Sequence, residues 1–267
     1  MKLRDCRIIL TGAAGGIGRH LALALAEKGA RLALVERDAE KLEAVCAEIA
    51  QRGGQVVPIL ADLGAAGAAV QVVGASIKAL GGVDVLINNA GLMDFIRFEQ
   101  QHPARIEQLI HTNVTVPLLL TRSVLPHLLA QGSGRIVNIG SALGAIGMAY
   151  HAAYCASKFA LRGFSEALRR ELADTPIGVT YIAPRATRTA LNDDRATRML
   201  EATGAALDQP QEVARQIVVA IERGRKEHAI GQPERIFARL NGLVPRLIDL
   251  GLQKQSRIAR QFTRPND

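Results

Sequence analysis

The sequence predicts a doubly wound α/β fold: a parallel sheet between two helical layers, αβα, followed by a C-terminal amphipathic helical extension. Three observations carry this expectation. Short apolar runs alternate with longer amphipathic ones along the chain, which implies parallel strands joined by helical crossovers. A glycine-rich turn separates the first apolar run from the first helical one. The chain has 267 residues, 48% hydrophobic, enough for one large core.

The elements follow in order. Residues 6–11 form a strand ending at Gly12, and residues 17–28 a helix stopped by Gly29. A second strand spans 31–36, a helix 39–52, a third strand 55–60, a helix 69–80 and a fourth strand 83–88. A long helical stretch spans 104–131 and ends in Gly132-Ser133-Gly134. Strand 135–140, helix 153–175 and strand 178–183 follow. Residues 191–207 read as irregular, before a helix over 209–223 and a short strand over 228–231. No linker or repeat divides the chain. One domain over residues 1–232 is expected, with residues 233–267 as a dependent extension.

Composition narrows the function. The formal charge is +8, which suits a nucleic acid, an anionic membrane, a phosphorylated ligand or simply a solvated surface. Aromatics make up 3% with no tryptophan, too few for a base-stacking reader, so nucleic acid is not the expected partner. Cys6, Cys46 and Cys155 show neither metal spacing nor a disulfide framework, so a reducing, cytoplasmic setting and no metal are expected. The charged N-terminus does not read as a signal peptide, and no run is long enough to span a membrane. A soluble or peripheral protein is expected.

The turn Thr11-Gly12-Ala13-Ala14-Gly15-Gly16-Ile17-Gly18 lies between strand and helix. Glycine lets the backbone bend tightly and approach a pyrophosphate, and the helix that follows offers unpaired N–H groups. Gly12, Ala14, Gly16, Ile17 and Gly18 are therefore candidate dinucleotide contacts. Glu36 ends the second strand, eighteen residues past Gly18. A carboxylate there accepts from adenosine ribose hydroxyls and repels a 2′-phosphate, which favours NAD. The adjacent Arg37 could instead hold that phosphate, which would mean NADP. Asp62-Leu63 and Asn88-Asn89-Ala90-Gly91 follow the third and fourth strands, where open α/β sheets bind ligands.

These residues resemble the short-chain dehydrogenase/reductase family in its compact, single-domain Rossmann-type form. Residues 11–18 are similar to its Thr-Gly-x-x-x-Gly-x-Gly turn. Residues 88–91 match its Asn-Asn-Ala-Gly, and Tyr154-Cys155-Ala156-Ser157-Lys158 matches its Tyr-x-x-x-Lys. Ser141 lies thirteen residues before the tyrosine, and Asn113 lies 28 before Ser141, as its tetrad requires. The likeness covers about residues 5–230. It implies an NAD(P)-dependent oxidoreductase of carbonyls or alcohols that works as a homo-oligomer. It also implies cofactor contacts at Asn89, Ala90, Gly91, Tyr154, Lys158, Thr187 and Thr189. One departure stands out: the family's Pro-Gly-x-x-x-Thr reads Pro184-Arg185-Ala186-Thr187-Arg188-Thr189 here.

Tyr154 and Lys158, four apart on one helix, share a face. A neighbouring ammonium lowers a phenol from its usual pKa of about 10 and suits Tyr154 to general acid–base work. Lys158 also holds the nicotinamide ribose, as the resemblance implies. Ser141 can orient the substrate oxygen. Pro117 has no N–H for the carbonyl of Asn113, so the helix should bend there; the resemblance adds a water on that carbonyl, linked to Lys158 in a proton relay. The alternative is a non-catalytic dinucleotide sensor or scaffold on the same fold.

In the extension, Ile236, Phe237, Leu240, Leu243, Val244, Leu247 and Ile248 recur at helical spacing among basic residues, with Pro245 expected to kink the helix. The stripe could pack on the body or a second subunit, lie on an anionic membrane, or meet nucleic acid. A membrane position would suit a lipophilic small-molecule substrate.

Overall fold

The computed structural model describes residues 1–231 and 240–263, less the side chain of Leu247. Seven strands form one parallel sheet: β1 (Arg7–Thr11), β2 (Arg31–Glu36), β3 (Gln55–Leu60), β4 (Val85–Asn88), β5 (Gly134–Ile139), β6 (Ile177–Pro184) and β7 (Glu227–Ile230). Their order is β3-β2-β1-β4-β5-β6-β7, every neighbour parallel. The order reverses between β1 and β4, and in such sheets the crevice at that switch point is the ligand site.

The central strands read as continuous apolar runs because helices cover both faces. Helices α1 (Gly16–Glu27), α2 (Ala39–Gln51) and α8 (Pro210–Glu222) pack with Ile8, Leu10, Leu32 and Ile87 on one face. On the other, α3 (Ala68–Leu80), α5 (Val116–Gln131) and α6 (Ala152–Glu171) pack with Ile9, Val35, Leu86 and Ile136. At the N-terminal edge, Arg7 ties β1 to Asp84: Nε donates to Oδ2 at 2.9 Å and Nη2 to Oδ1 at 2.7 Å. Gln131 at the end of α5 joins the same network.

Three stretches differ from expectation. The long helix over 104–131 is α4 (Pro103–Ile110), a π-helical turn at His111–Thr115, then α5. The expected bend at Pro117 is thus an inserted residue in the helical ladder: the Val116 N–H reaches back to the carbonyl of His111. The stretch expected to be irregular contains helix α7 (Asp194–Ala202). Asp193 caps it by accepting from the Ala196 N–H at 2.7 Å, and Ala196 and Met199 bury its inner face. Pro245 does not kink a helix but begins one, α9 (Pro245–Ala259). Proline's fixed φ suits a first turn, where its missing N–H costs nothing.

The apolar stripe of the extension is also divided. Ile236 and Phe237 lie outside the described residues. Leu240 is half-buried and Ile248 buried, while Leu243 and Val244 are exposed. α9 folds back onto the body through Ala259 and Phe262, which pack with Phe95, Ala196 and Met199. Arg97 Nε donates to Thr263 Oγ1 at 3.1 Å beyond it.

Candidate active site

A cavity of about 1090 Å³ opens at the C-terminal edge of the sheet, across the switch point. Single-ligand pockets typically occupy about 300–1,000 Å³, so this one has room for a dinucleotide and a second molecule.

The glycine-rich turn forms its floor. Gly12 has φ +61°, and a Cβ there would press on Ala90 Cα at 2.8 Å. A Cβ on Gly18 would overlap the Gly12 carbonyl oxygen. Only glycine meets both demands, so the turn lies flat against the strand and leaves its upper side open. Helix α1 begins at Gly15 with no side-chain cap, so its first N–H groups are free to meet an anion. Asn89 holds the turn from the β4 side, its amide donating to the carbonyls of Thr11 and Gly12, each at 3.0 Å. Thr11 Oγ1 accepts from the N–H groups of Asn89 and Ala90. Asn89 thus builds the floor through its side chain while also lining the cleft. These residues fit a bound pyrophosphate.

Glu36 and Asp62 stand at the ends of β2 and β3, on one side of the switch point. Glu36 accepts from the Ala14 N–H at 3.3 Å and the Arg37 N–H at 2.9 Å, so its carboxylate leans across the turn. Asp62 accepts from the Gly64 N–H at 2.9 Å. Ile17, Arg37, Leu63, Ala90 and Gly91 line the same cleft.

On the other side, β5 and α6 bring together Ser141, Tyr154 and Lys158. Tyr154 is 7% exposed and Lys158 5%. Lys158 Nζ sits 5.7 Å from the centre of the Tyr154 ring and donates to the Ile139 carbonyl at 3.1 Å. Burial lowers its pKa to about 8. Burial pushes Tyr154 up to about 12, opposed by a hydrogen bond with Ser141. The expected lowering of Tyr154 by Lys158 does not appear in this arrangement: burial is the largest cause of the tyrosine's shift, and Lys158 is not among its causes. Ser141 Oγ also accepts from the Leu143 N–H at 3.1 Å, capping the short turn that aims it.

Asn113 is buried, in the π-helical turn. Its amide donates to the Leu92 carbonyl at 2.8 Å and to Ser157 Oγ at 2.9 Å, and its Oδ1 accepts from the Leu92 N–H at 2.8 Å. A Cβ on Gly91 would lie 3.3 Å from Asn113 Oδ1 and 3.7 Å from Lys158 Nζ, so these groups converge there.

The segment after β6 closes the cleft. A Cβ on Gly16 would strike the Thr189 side chain, so Thr189 rests directly over the turn. The Thr187 carbonyl accepts from Asn192 Nδ2 at 2.8 Å. Arg185, which departs from the family's glycine, turns to Asp208: Nε donates to Oδ2 at 2.9 Å and Nη2 to Oδ1 at 2.7 Å. The Arg188 N–H and the Asp208 N–H complete a short bridge between the two segments.

Three contributors are not legible in the sequence motifs. Tyr181 on β6 is buried, and its hydroxyl lies 3.4 Å from both the backbone N and O of Ser141, bracing that turn. His151 lines the cleft, and burial lowers its pKa. Helices α7 and α9 add Met199, Leu200, Ile248 and Leu252 to the cleft lining. The only sequence signal of α9 is apolar periodicity, which does not say what it faces, and the α7 stretch reads as irregular.

A parallel sheet with an uncapped helix at its switch point, and a buried Tyr-Lys-Ser cluster beside it, defines a dinucleotide-dependent oxidoreductase. The short chain dehydrogenase model matches residues 7–199. Ketoacyl reductase HetN of Nostoc sp. is 33% identical over 84% of this chain and 78% of its own. Dehydrogenase/reductase SDR family member 7B of Bos taurus is 33% identical over 86% of this chain and 75% of its own. A metagenomic short-chain oxidoreductase solved in complex with NADP is 31% identical, with a TM-score of 0.73 over 86% of this chain and 98% of that one. The chain belongs to the short-chain dehydrogenase family and is an oxidoreductase. Among the described residues no helix is long and apolar enough to cross a membrane, and no His, Cys, Asp and Glu cluster could hold a metal.

Proposed function

We propose that this chain interconverts a carbonyl and an alcohol with NAD(P), with Tyr154 as the general acid or base. The observation that carries this reading is the burial of Tyr154 and Lys158 together beside Ser141, at the switch point of the sheet. When bound, the cofactor supplies or accepts the hydride. Gly12, Ala14, Gly16, Ile17 and Gly18 would hold its pyrophosphate, and Lys158 and the Thr187–Thr189 segment its nicotinamide half.

In the reducing direction, Ser141 and Tyr154 hold the substrate oxygen. A pKa pushed up to about 12 keeps Tyr154 protonated, the state needed to give a proton to that oxygen. Lys158, with a pKa of about 8, can pass a proton to Tyr154 near neutral pH. The Asn113 carbonyl, which Pro117 cannot bond, continues the path through water toward solvent. In oxidation each transfer reverses.

NAD is the favoured cofactor. The Glu36 carboxylate already leans over the turn, and a 2′-phosphate there would meet like charge. The NADP held by the metagenomic relative is the contrasting case.

The test follows absorbance at the NAD(P)H band with a panel of ketones and alcohols, comparing wild type with Tyr154→Phe. Loss of the proton donor should lower kcat by roughly a hundred- to ten-thousand-fold while NADH still binds. Undiminished turnover in the variant would overturn the mechanism.

A further inference from the structure

The charged groups of the cleft are segregated. Among the described lining residues they are Glu36, Arg37, Asp62, Lys158 and Arg185. The first three stand at the β2–β3 end, Lys158 belongs to the proton machinery, and Arg185 is paired with Asp208. Among the described residues, the remaining half of the cleft, around Tyr154, carries no further charged side chain and is mostly apolar. Met93 and Leu143 pack against the apolar cluster that contains Tyr154. Ile146, Met199, Ile248 and Leu252 extend that wall onto α7 and α9. The His151 ring lies among them, 5.2 Å from that of Phe95, and burial favours its uncharged form.

The methionines make the wall's character plain. The chain has four, and every one after Met1 (Met93, Met148 and Met199) lines this cleft. Unbranched thioether side chains repack readily, so they suit a flexible guest of variable length better than one rigid shape. A charge buried among them would go unpaired, which the low-polarity setting penalises heavily.

We propose that the substrate is a ketone or secondary alcohol carried on a long, uncharged hydrocarbon chain, with its oxygen at Ser141 and Tyr154 and its chain lying under α9. This rests on the oxidoreductase reading for the placement of the oxygen. Binding should then strengthen about three- to fourfold for each methylene buried, until the wall is filled.

The test measures, by calorimetry on the NAD⁺-saturated protein, the affinity for 2-alkanols of about four to about twelve carbons, a range each of whose methylenes adds apolar area. Turnover is followed on the same series. A steady rise in affinity supports the proposal, and a flat series overturns it. Leu252→Asp, on the cleft side of α9, should flatten the rise, whereas Gln253→Asp, exposed on the same helix, should keep it. Both variants are first checked for melting temperature and NADH binding. An unchanged rise in a folded Leu252→Asp protein overturns the placement under α9. Turnover of short alcohols without any chain-length trend leaves the oxidoreductase reading standing and removes the long chain. A rising affinity without turnover of any member does the reverse.

Discussion

In the proposed reaction, Lys158 would serve chemistry at the expense of stability. Burial places its pKa at about 8 against an ordinary 10.5, so holding the ammonium charged inside the protein costs free energy below pH 8. The unfolded chain keeps the proton up to about 10.5, so stability rises with pH between those two values as the folded lysine sheds it. Lys158→Met removes the buried charge. The cofactor-free variant should therefore be more stable than wild type at pH 7 by up to about 3 kcal/mol, with the advantage fading toward pH 10. Urea unfolding at both pH values checks this, and a variant no more stable at pH 7 would sink it. Turnover should be lost, as expected where an active site carries strain that the fold must offset. Glu36 makes a second residue-level prediction. Glu36→Ser removes the carboxylate that leans over the turn, and the ratio of kcat/KM for NADH to NADPH should fall roughly tenfold or more. An unchanged ratio would show that Glu36 does not set the preference.

At the scale of elements, the site is a set of ends. The uncapped start of α1, the carboxyl ends of β1 to β6 and the first turns of α6 all point into one crevice. Arg185 and Asp208 show how two loops after β6 are held in register there. Their paired side chains are each only 18% exposed, and two backbone hydrogen bonds flank them. Thr189, a few residues on, rests over the pyrophosphate turn. Asp208→Asn keeps the shape but removes the Asp208 charge beside Arg185. It should lower stability by about 1–2 kcal/mol and raise the KM for the cofactor more than it changes kcat. Denaturant unfolding and steady-state kinetics measure the two effects. Unchanged KM would mean the pair supports only the fold. The π-helical turn at His111–Thr115 is the other element shaped by its site, since it carries Asn113 to the backbone of Leu92.

Across the whole molecule, stability and function are separated by the sheet. The Arg7–Asp84–Gln131 network locks the N-terminal edge, away from the crevice. Arg7 holds the Asp84 carboxyl below its usual range despite the burial that opposes this. The opposite edge carries the turns, the Ser141–Tyr154–Lys158 cluster and the α7–α9 wall. Within that edge the polar half lies toward β2 and β3 and the apolar half toward α6, α7 and α9. A hydride acceptor held where the halves meet would contact both, which is why the chain-length series tests the whole arrangement rather than one residue.

Much of this was legible in the chain. The alternation of strands and helices, the Gly12–Gly18 turn, and the shared helix face of Tyr154 and Lys158 follow from local spacing, because each depends on neighbours within one or two turns of backbone; Asn113 and Ser141, 41 and thirteen residues before the tyrosine, were legible through the family resemblance. Other features depended on residues far apart in sequence. Burial, not the four-residue spacing, decides the protonation of Tyr154 and Lys158. Asp208, twenty-three residues away, is a partner that draws Arg185 across the loop. The apolar stripe of residues 236–248 foretold a helix that covers something, but helical periodicity encodes a face and not its partner. Only the fold shows that Leu240 and Ile248 of that stripe, with Leu252 beyond them on α9, line the cleft while Leu243 and Val244 stay exposed.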